Sequence, residues 1–201
     1  MFLTHMALDI NRRETIEVLK NQALLCLTVR AAFAGGNMVP LFRVDQIGSR
    51  QWLVILSRLR PSLYMAHERY GYLGVFPSWE TFDYDDVIED ATNGSLWRFE
   101  LNASPMGLCP VADERLLDET WLNNWLRESS AHNGFEVRSL HLMDRGWLDV
   151  EEKHLHYARW RGSLCVTEAE LFEAVSMRGL GVGQPWGEGL MTLSRTYGVG
   201  E

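Results

Sequence analysis

The stretch SLWRFELNAS, residues 95–104, follows an Asn93–Gly94 turn and alternates apolar with polar side chains. This period of two predicts a strand with one buried face. Upstream, the same reasoning predicts strands over FLTHMALDI, VPLFRVD and QWLVILS. Helical periodicity predicts helices within residues 12–33 and 61–70, and Asn21–Gln22 is a candidate break within the first of these regions. With residues 95–104 as the closing strand, the order is βαββαβ, the ferredoxin-like arrangement.

The rest of the chain can be interpreted in the same way. Residues 113–132 predict an amphipathic helix, EVRSLHLMDRGWLDV and HLHYARWRGSLCVT predict strands, TEAELFEAVSM predicts a helix capped by Thr167, and GLMTLSR predicts a last strand. We therefore predict an α+β fold of two tandem ferredoxin-like (RRM-like, βαββαβ) halves. The predicted domains are residues 1–103 and residues 104–201, and we expect them to pack together because no linker is evident.

The net charge gives no general preference for nucleic acid. The chain has 201 residues, 46% of them hydrophobic, so it can bury one substantial core or two small ones. Its formal charge of −8 argues against a general nucleic-acid binder, which is usually basic. The charge is uneven, however: residues 80–90 carry six acids and no base, whereas residues 43–69 have an excess of arginine. A mixed face could still hold a phosphate backbone.

The apolar runs and the cysteines indicate a reducing compartment and no membrane. The longest apolar run, residues 23–29, is far shorter than the ~20 residues that a membrane helix needs. Cys26, Cys109 and Cys165 form no CxxC pair, and one would be left over if two were bridged. We expect a cytoplasmic protein without a cofactor or a metal.

A glycine-rich loop lies close to the end of the chain. GLGVGQPWGEGLM, residues 179–191, has five glycines and neither lysine nor arginine. It lacks the GxxxxGK[ST] spacing of a P-loop and the GxGxxG spacing of a dinucleotide fingerprint, and few residues follow it, so a nucleotide site is excluded. The simplest interpretation is a loop at 179–189 that leads into a final strand, with glycines at positions of positive φ.

Four segments, in this order along the chain, resemble one known family. They are MFLTHMALD, WETFDYDDVIEDATNGSLWRFELNASP, WLNNWLRESSAHNGFEV and RWRGSLCVTEAELFEAVSMRGLGVGQPWGEGLMTL. Together they are similar to the CasE family, the CRISPR RNA endoribonuclease of type I-E Cascade within the RAMP superfamily. The resemblance implies metal-independent cleavage of a CRISPR repeat beside a stem-loop, retention of the crRNA 3′ hairpin, and assembly with other Cascade-type effector subunits.

The resemblance also implies where RNA would bind. In that family the glycine-rich loop often lies beside RNA, where backbone amides can approach phosphate oxygens. This implies RNA-binding positions at Gly181, Gly183, Gln184 and Gly187, although Gln184 stands where a lysine is common. Arg12, Arg13 and Arg30 of the first helical region could hold phosphate, and the alternative for each is a solvated helix face.

The expected acid–base histidine is replaced. The family's reaction has the ribose 2′-hydroxyl attack the adjacent phosphate, which calls for a base, an acid and cations. Alignment on Phe33 puts Cys26 at the position of the family's histidine, and a thiol among leucines is a poor proton shuttle. His154 and His156, on one face of a predicted strand, and His5 of the first strand are the other catalytic candidates.

Two further functions stay open on these residues. The first is a catalytically inactive subunit that only holds the crRNA hairpin or protein partners, which the missing histidine favours. The second is an unrelated thiol enzyme that uses Cys26, against which the apolar neighbours of this cysteine argue. The paired histidines of the predicted strand also suggest a metal, but no cysteine pair or carboxylate at ligand spacing supports one.

Overall fold

The chain folds into two ferredoxin-like halves that lie against each other. The structure is a computed structural model, and it describes residues 1–34, 39–74 and 79–195. The first half contains β1 (Phe2–Leu8), α1 (Arg13–Leu19), α2 (Gln22–Arg30), β2 (Leu41–Ile47), β3 (Arg50–Ser57), α3 (Tyr64–Tyr70) and β4 (Trp79–Asp83). The short α4 (Asp85–Glu89) leads to the second half.

The second half repeats this order. Its elements are β5 (Leu96–Ala103), β6 (Leu108–Cys109), a 3-10 helix (Glu114–Leu117), α5 (Glu119–Ala131), β7 (Phe135–Val150), β8 (Lys153–Val166), α6 (Ala169–Arg178), a 3-10 turn (Gln184–Trp186) and β9 (Met191–Arg195). The first sheet has the order β2-β3-β1-β4, and β7-β8-β5-β9 in the second sheet matches it strand for strand. The predicted α+β class with two tandem ferredoxin-like halves is confirmed.

The strand that suggested the fold belongs to the other half. Residues 95–104 do form a strand, but β5 pairs with β8 and β9 of the second sheet. The fourth place in the first sheet is taken by β4, which pairs with β1 from Phe2 with Asp83 to Met6 with Trp79. The predicted domain boundary after residue 103 is therefore wrong: the change of sheet falls between β4 and β5. The acidic, largely exposed β4 gave a weaker alternation signal than β5.

Two helical predictions need correction. The helical region 12–33 is interrupted where the sequence suggested, because the Asn21 side chain accepts a hydrogen bond from the amide of Leu24 and starts a second helix there. The region 113–132, however, divides into a 3-10 helix and α5, with Asp118 as the cap between them. Thr167 does not cap α6: the amide of Ala169 instead donates to the Asn93 side chain at 2.7 Å.

Each half has its own core, and a third cluster joins them. The helices of each half cover one face of its sheet, with cores around Met6 and Leu53 in the first half and around Trp160 and Phe172 in the second. The third cluster lies between the halves and consists of Leu41, Val54, Leu56, Tyr84, Ile88 and Leu190. The expected packing of the two halves is thus present, and it creates a seam on which most of the candidate residues lie.

Candidate functional site

The glycine-rich loop is fastened to one face of α2. Three α2 side chains four residues apart donate to two consecutive loop carbonyls. Gln22 Nε2 donates to the Trp186 carbonyl at 2.8 Å, and Cys26 Sγ and Arg30 Nη2 donate to the Pro185 carbonyl at 3.3 and 2.5 Å. A short helix of the first half and the last loop of the second half therefore form one joint across the seam.

Cys26 is part of this joint and is buried. Its residue surface is 4% exposed, and its thiol points at the Pro185 carbonyl. Burial raises the pKa of the Cys26 thiol, although the nearby Arg30 charge opposes the shift. A neutral thiol that donates to a protein carbonyl has neither the charge nor the access of a nucleophile or a proton shuttle. Cys26 is thus buried at the joint, and a catalytic role for it stays a prediction.

The three arginine candidates are not brought together by the fold. Arg30 contacts the loop, as described, and its Nε is buried without a partner among the described residues. Arg12 donates to the Glu68 carbonyl of α3 at 2.7 Å. The Arg13 side chain is 89% exposed and pairs with Glu17 at 2.7 Å. Of the three, Arg30 is the one that lies on the seam.

Close packing explains the glycines of the loop. A Cβ added to Gly187, which has a φ of +88°, would lie 2.1 Å from the Phe42 ring of β2. A Cβ on Gly181, with a φ of +95°, would lie 2.6 Å from the Ser104 carbonyl oxygen. Both values are shorter than carbon contacts allow, so these positions require glycine for space as well as for φ.

The polar groups of the loop largely bind the protein itself. Gln184 Nε2 donates to the carbonyls of Gly179 and Gly181 at 3.2 and 2.7 Å, so this side chain folds back on the loop. Six backbone amides of the loop donate to backbone carbonyls of the protein. The donating amides belong to Leu180, Val182, Trp186, Gly187, Glu188 and Gly189. These six amides cannot also hold a phosphate. RNA contacts of Gly181, Gly183, Gln184 and Gly187 stay a prediction.

The three histidine candidates lie in different surroundings. His156 is 0% exposed, its Nε2 donates to the Leu116 carbonyl at 3.0 Å, and burial lowers its pKa. His154 lies near the β7–β8 turn, with Nδ1 2.9 Å from Asp149 Oδ1. His5 is half-buried in β1; burial lowers its pKa, and the Asp45 charge partly opposes this shift. Of the three, His156 is the one that the structure places in the core.

A cavity of about 330 Å³ opens beside the joint, between the two halves. Gln22 belongs to both, because it lines the cavity and holds the loop. The lining residues are Leu19, Gln22, Leu25, Phe42, Arg43, Val44, Gln51, Asn102, Asp144, Leu148, Tyr157, Arg159 and Glu188. The sequence reasoning missed this site, because its walls come from seven separate stretches of chain. The one local signal was Glu188, an acid set between two glycines before a buried strand.

Glu188 is the unusual group of this cavity. It is 2% exposed, and its Oε2 has no hydrogen-bond partner among the described residues. Burial raises the pKa of Glu188 to about 8, although a hydrogen bond to Asn102 and the Arg159 charge oppose the shift. In the lining of the same cavity, burial and then the Asp144 charge raise the pKa of Tyr157 to about 12. At neutral pH both groups are thus mainly protonated.

Buried ion pairs lie next to the cavity and connect the two sheets. Arg43 of β2 donates to Asp45 at 2.8 Å, to the Glu100 carbonyl at 3.1 Å and to Thr192 Oγ1 at 2.7 Å. Arg159 of β8 forms ion pairs with both Asp45 and Glu100. Burial would raise the pKa of Glu100, but the charges of Arg43 and then Arg159 outweigh it and lower this pKa. The carboxylates of Asp45 and Glu100, the Thr192 hydroxyl and backbone carbonyls thus occupy the donor nitrogens of these arginines.

Neither a metal site nor a membrane-spanning helix is found in the described ranges. Among residues 1–34, 39–74 and 79–195, no three His, Cys, Asp or Glu side chains are grouped so that they could hold a metal ion. Within the same ranges, no helix has the length and the apolar character needed to cross a membrane.

Solved structures of CRISPR proteins share this fold. Thermus thermophilus Cse3 bound to an RNA representing a pre-cleavage complex is 22% identical, with a TM-score of 0.75 over 96% of this chain and 98% of that one. Cas6e from Escherichia coli K-12 is 15% identical, with a TM-score of 0.64 over 98% and 100%. A chain of E. coli Cascade bound to a dsDNA target is 16% identical, with a TM-score of 0.56 over 98% and 100%. Curated proteins gave no match.

The chain is thus a protein with two ferredoxin-like halves, and its glycine-rich loop contacts α2 where the halves meet. The model of the family described as CRISPR associated protein matches residues 1–195. The chain belongs to this family, and the resemblance seen in its sequence is confirmed.

Proposed function

We propose that this protein binds the stem-loop of a CRISPR repeat transcript in the cytoplasm, cleaves the RNA beside it without a metal, and keeps the crRNA 3′ hairpin within a Cascade-type complex. The observation that carries the proposal is the match of nearly the whole fold to Cse3 in a structure that represents a pre-cleavage RNA complex. The family match over residues 1–195 supports the same conclusion.

The cleavage step proceeds by internal attack. The 2′-hydroxyl oxygen forms a bond to the adjacent phosphorus, the bond from phosphorus to the 5′-oxygen breaks, and the products are a cyclic phosphate and a 5′-hydroxyl. The proton of the attacking hydroxyl is lost to a base, and the leaving oxygen takes one up. Among the candidates, the burial of Cys26 and His156 argues against these roles for them. His5 and His154 keep partial access, and Arg30 supplies a charge on the seam.

Alignment is therefore the main source of rate that we infer. A bound RNA whose 2′-hydroxyl is held in line with the leaving oxygen loses much of the entropic barrier even without an efficient base. Such an enzyme cleaves slowly and only once per hairpin, because it keeps its product. Slow turnover suits a subunit that stays with the RNA it has processed.

The alternative is a subunit that holds the hairpin and does not cleave it. The burial of Cys26, with its thiol bound to the Pro185 carbonyl, favours this alternative, because this thiol is poorly placed to move a proton. Hairpin binding is common to both functions, and cleavage separates them.

Binding is tested with the repeat RNA made non-cleavable by a 2′-deoxy residue at the cleavage site. We expect tight binding that weakens as salt rises, because neutralised phosphates release counterions. The control is an RNA of the same composition whose sequence cannot form the stem, and it should bind far more weakly. Equal affinity for both RNAs would overturn the proposal.

A further inference from the structure

We infer that the cavity between the two halves is a pocket for one unpaired nucleobase of the bound RNA, recognised by the free oxygen of Glu188. This rests on the proposed function and adds a subsite to it. The cavity lies beside the α2–loop joint, and its volume of about 330 Å³ is at the small end of ligand pockets, which span roughly 300–1,000 Å³.

The unpartnered oxygen of Glu188 is the first step of the inference. A buried polar atom without a hydrogen-bond partner costs free energy, so in native proteins such an atom usually bonds to a ligand or to water. Asn102 accounts for one interaction of the Glu188 carboxyl, and Oε2 has none among the described residues. Glu188 lines the cavity, and because Oε2 is itself buried, a rotation of the side chain is needed to turn this oxygen toward a bound group.

The charges of the cavity argue against a phosphate. Asp144 lies on its wall, and Glu188, which is mainly protonated at neutral pH, brings no positive charge to it. The two arginines of the wall direct their guanidinium groups to other partners: Arg43 to Asp45, and Arg159 to Asp45 and Glu100. An anion would meet carboxyl groups and few free donors. A neutral polar group is thus the better occupant.

A nucleobase is a neutral polar group that fits this cavity. Base edges carry N–H donors next to ring-nitrogen or carbonyl acceptors, so a base can pair with the carboxyl of Glu188 whether that carboxyl is protonated or not. The flat faces of a base need apolar walls, and five are present: Leu19, Leu25, Phe42, Val44 and Leu148. Single-stranded RNA is generally recognised through bases splayed out of the stack in this way.

The position of the pocket gives it a role in specificity. Gln22 lines the pocket and also holds the loop at the Trp186 carbonyl, and Cys26 and Arg30 hold the same loop one and two turns further along α2. A base inserted here fixes the register of the RNA against this joint. Recognition would then depend on one base of the single strand beside the stem.

The test is a scan of the non-cleavable repeat RNA in which each unpaired nucleotide beside the stem is replaced in turn by an abasic residue. Affinities are measured for the unchanged protein and for Glu188→Gln, Leu148→Trp and the control Glu173→Gln, whose side chain is exposed on α6. Thermal melting of each variant checks that it is folded. Glu188→Gln keeps the size of the side chain, and Leu148→Trp fills the cavity from another part of its lining.

For the unchanged protein and the control, we expect one abasic position to weaken binding about tenfold. In Leu148→Trp this penalty should fall below twofold, because the base no longer has a place, and in Glu188→Gln it should shrink. The inference is overturned if no position carries a penalty, or if Leu148→Trp leaves every penalty unchanged, while the hairpin still binds. Failure of the unchanged protein to bind any hairpin instead overturns the proposed function and this pocket with it.

Discussion

The two halves are held together by two kinds of contact that differ in their chemistry. At the joint, Gln22, Cys26 and Arg30 donate to backbone carbonyls of the glycine-rich loop. Between the sheets, Arg43 and Arg159 share buried ion pairs with Asp45 and Glu100. Carbonyl contacts can be lost singly at small cost, whereas removal of one member of a buried ion network leaves charges unpaired. We infer that the network fixes the halves and that the joint shapes the site.

The largest effect is expected at the centre of the network. Arg159→Ala leaves Asp45 and Glu100 without one of their shared cations, so it should lower the free energy of unfolding by about 3–5 kcal/mol. The control is Arg161→Ala: its side chain is 60% exposed and reaches the same Glu100 at 3.3 Å, and it should cost less than about 1 kcal/mol. Urea unfolding measures both, and equal losses would show that the network does not fix the halves.

The next largest loss of stability is expected when a Cβ is added at Gly187, where the loop packs closely. Gly187→Ala must place a Cβ against the Phe42 ring at a φ of +88°, so it should cost roughly 2–4 kcal/mol. Gly94→Ala is a matched control, because Gly94 has a φ of +85° and open space around it; we expect a loss of about 1 kcal/mol from φ alone. If the two losses are the same in urea unfolding, close packing does not explain the glycine at 187.

A pH dependence should identify Glu188. Its pKa of about 8 lies above the ordinary value of 4.5, so the native state holds a proton that the unfolded state releases between these values. The free energy of unfolding should therefore fall as pH rises from 5 to 8, by at most about 1.4 kcal/mol per pH unit from this group. The difference between the unchanged protein and Glu188→Gln isolates this slope. A difference that does not vary with pH would contradict the raised pKa.

The smallest effect is expected for Cys26. Cys26→Ala loses one thiol contact, so it should cost about 1 kcal/mol of stability and change the cleavage rate less than twofold. The outcome that would contradict the Cys26 prediction is a Cys26→Ala protein that binds the hairpin normally but does not cleave it. Cys26 would then be a catalytic residue.

Arg30→Ala should instead weaken hairpin binding and lower the salt dependence of that binding by about one counterion. Arg115→Ala, which removes a fully exposed arginine paired with Asp113, serves as the control for binding.

The sequence predicted the fold better than it predicted the site. Local alternation and helical period were enough for most elements, including the break at Asn21 and the strand over residues 95–104. The sheet to which that strand belongs depends on pairing with residues about 60 and 95 positions further on, which local patterns do not contain.

The limits at the site have the same origin. Burial of Cys26 could be predicted from its leucine neighbours, but its contact with Pro185, 159 residues away, could not. His156 had the pattern of an accessible strand histidine, yet the 3-10 helix around Leu116 covers it. The pKa of Glu188 is raised because residues of both halves bury this side chain, so the raised pKa could not be predicted from any single stretch of chain.

The most direct measurement is a single-turnover cleavage assay with the purified protein and its repeat RNA in EDTA. The matched control RNA differs only by a 2′-deoxy residue at the cleavage site, which removes the attacking oxygen. We expect slow cleavage of the first RNA to a cyclic phosphate and a 5′-hydroxyl, and none of the second, with both RNAs bound equally tightly. Tight binding of both RNAs with no cleavage of either would contradict processing and make the protein a subunit that only holds the hairpin.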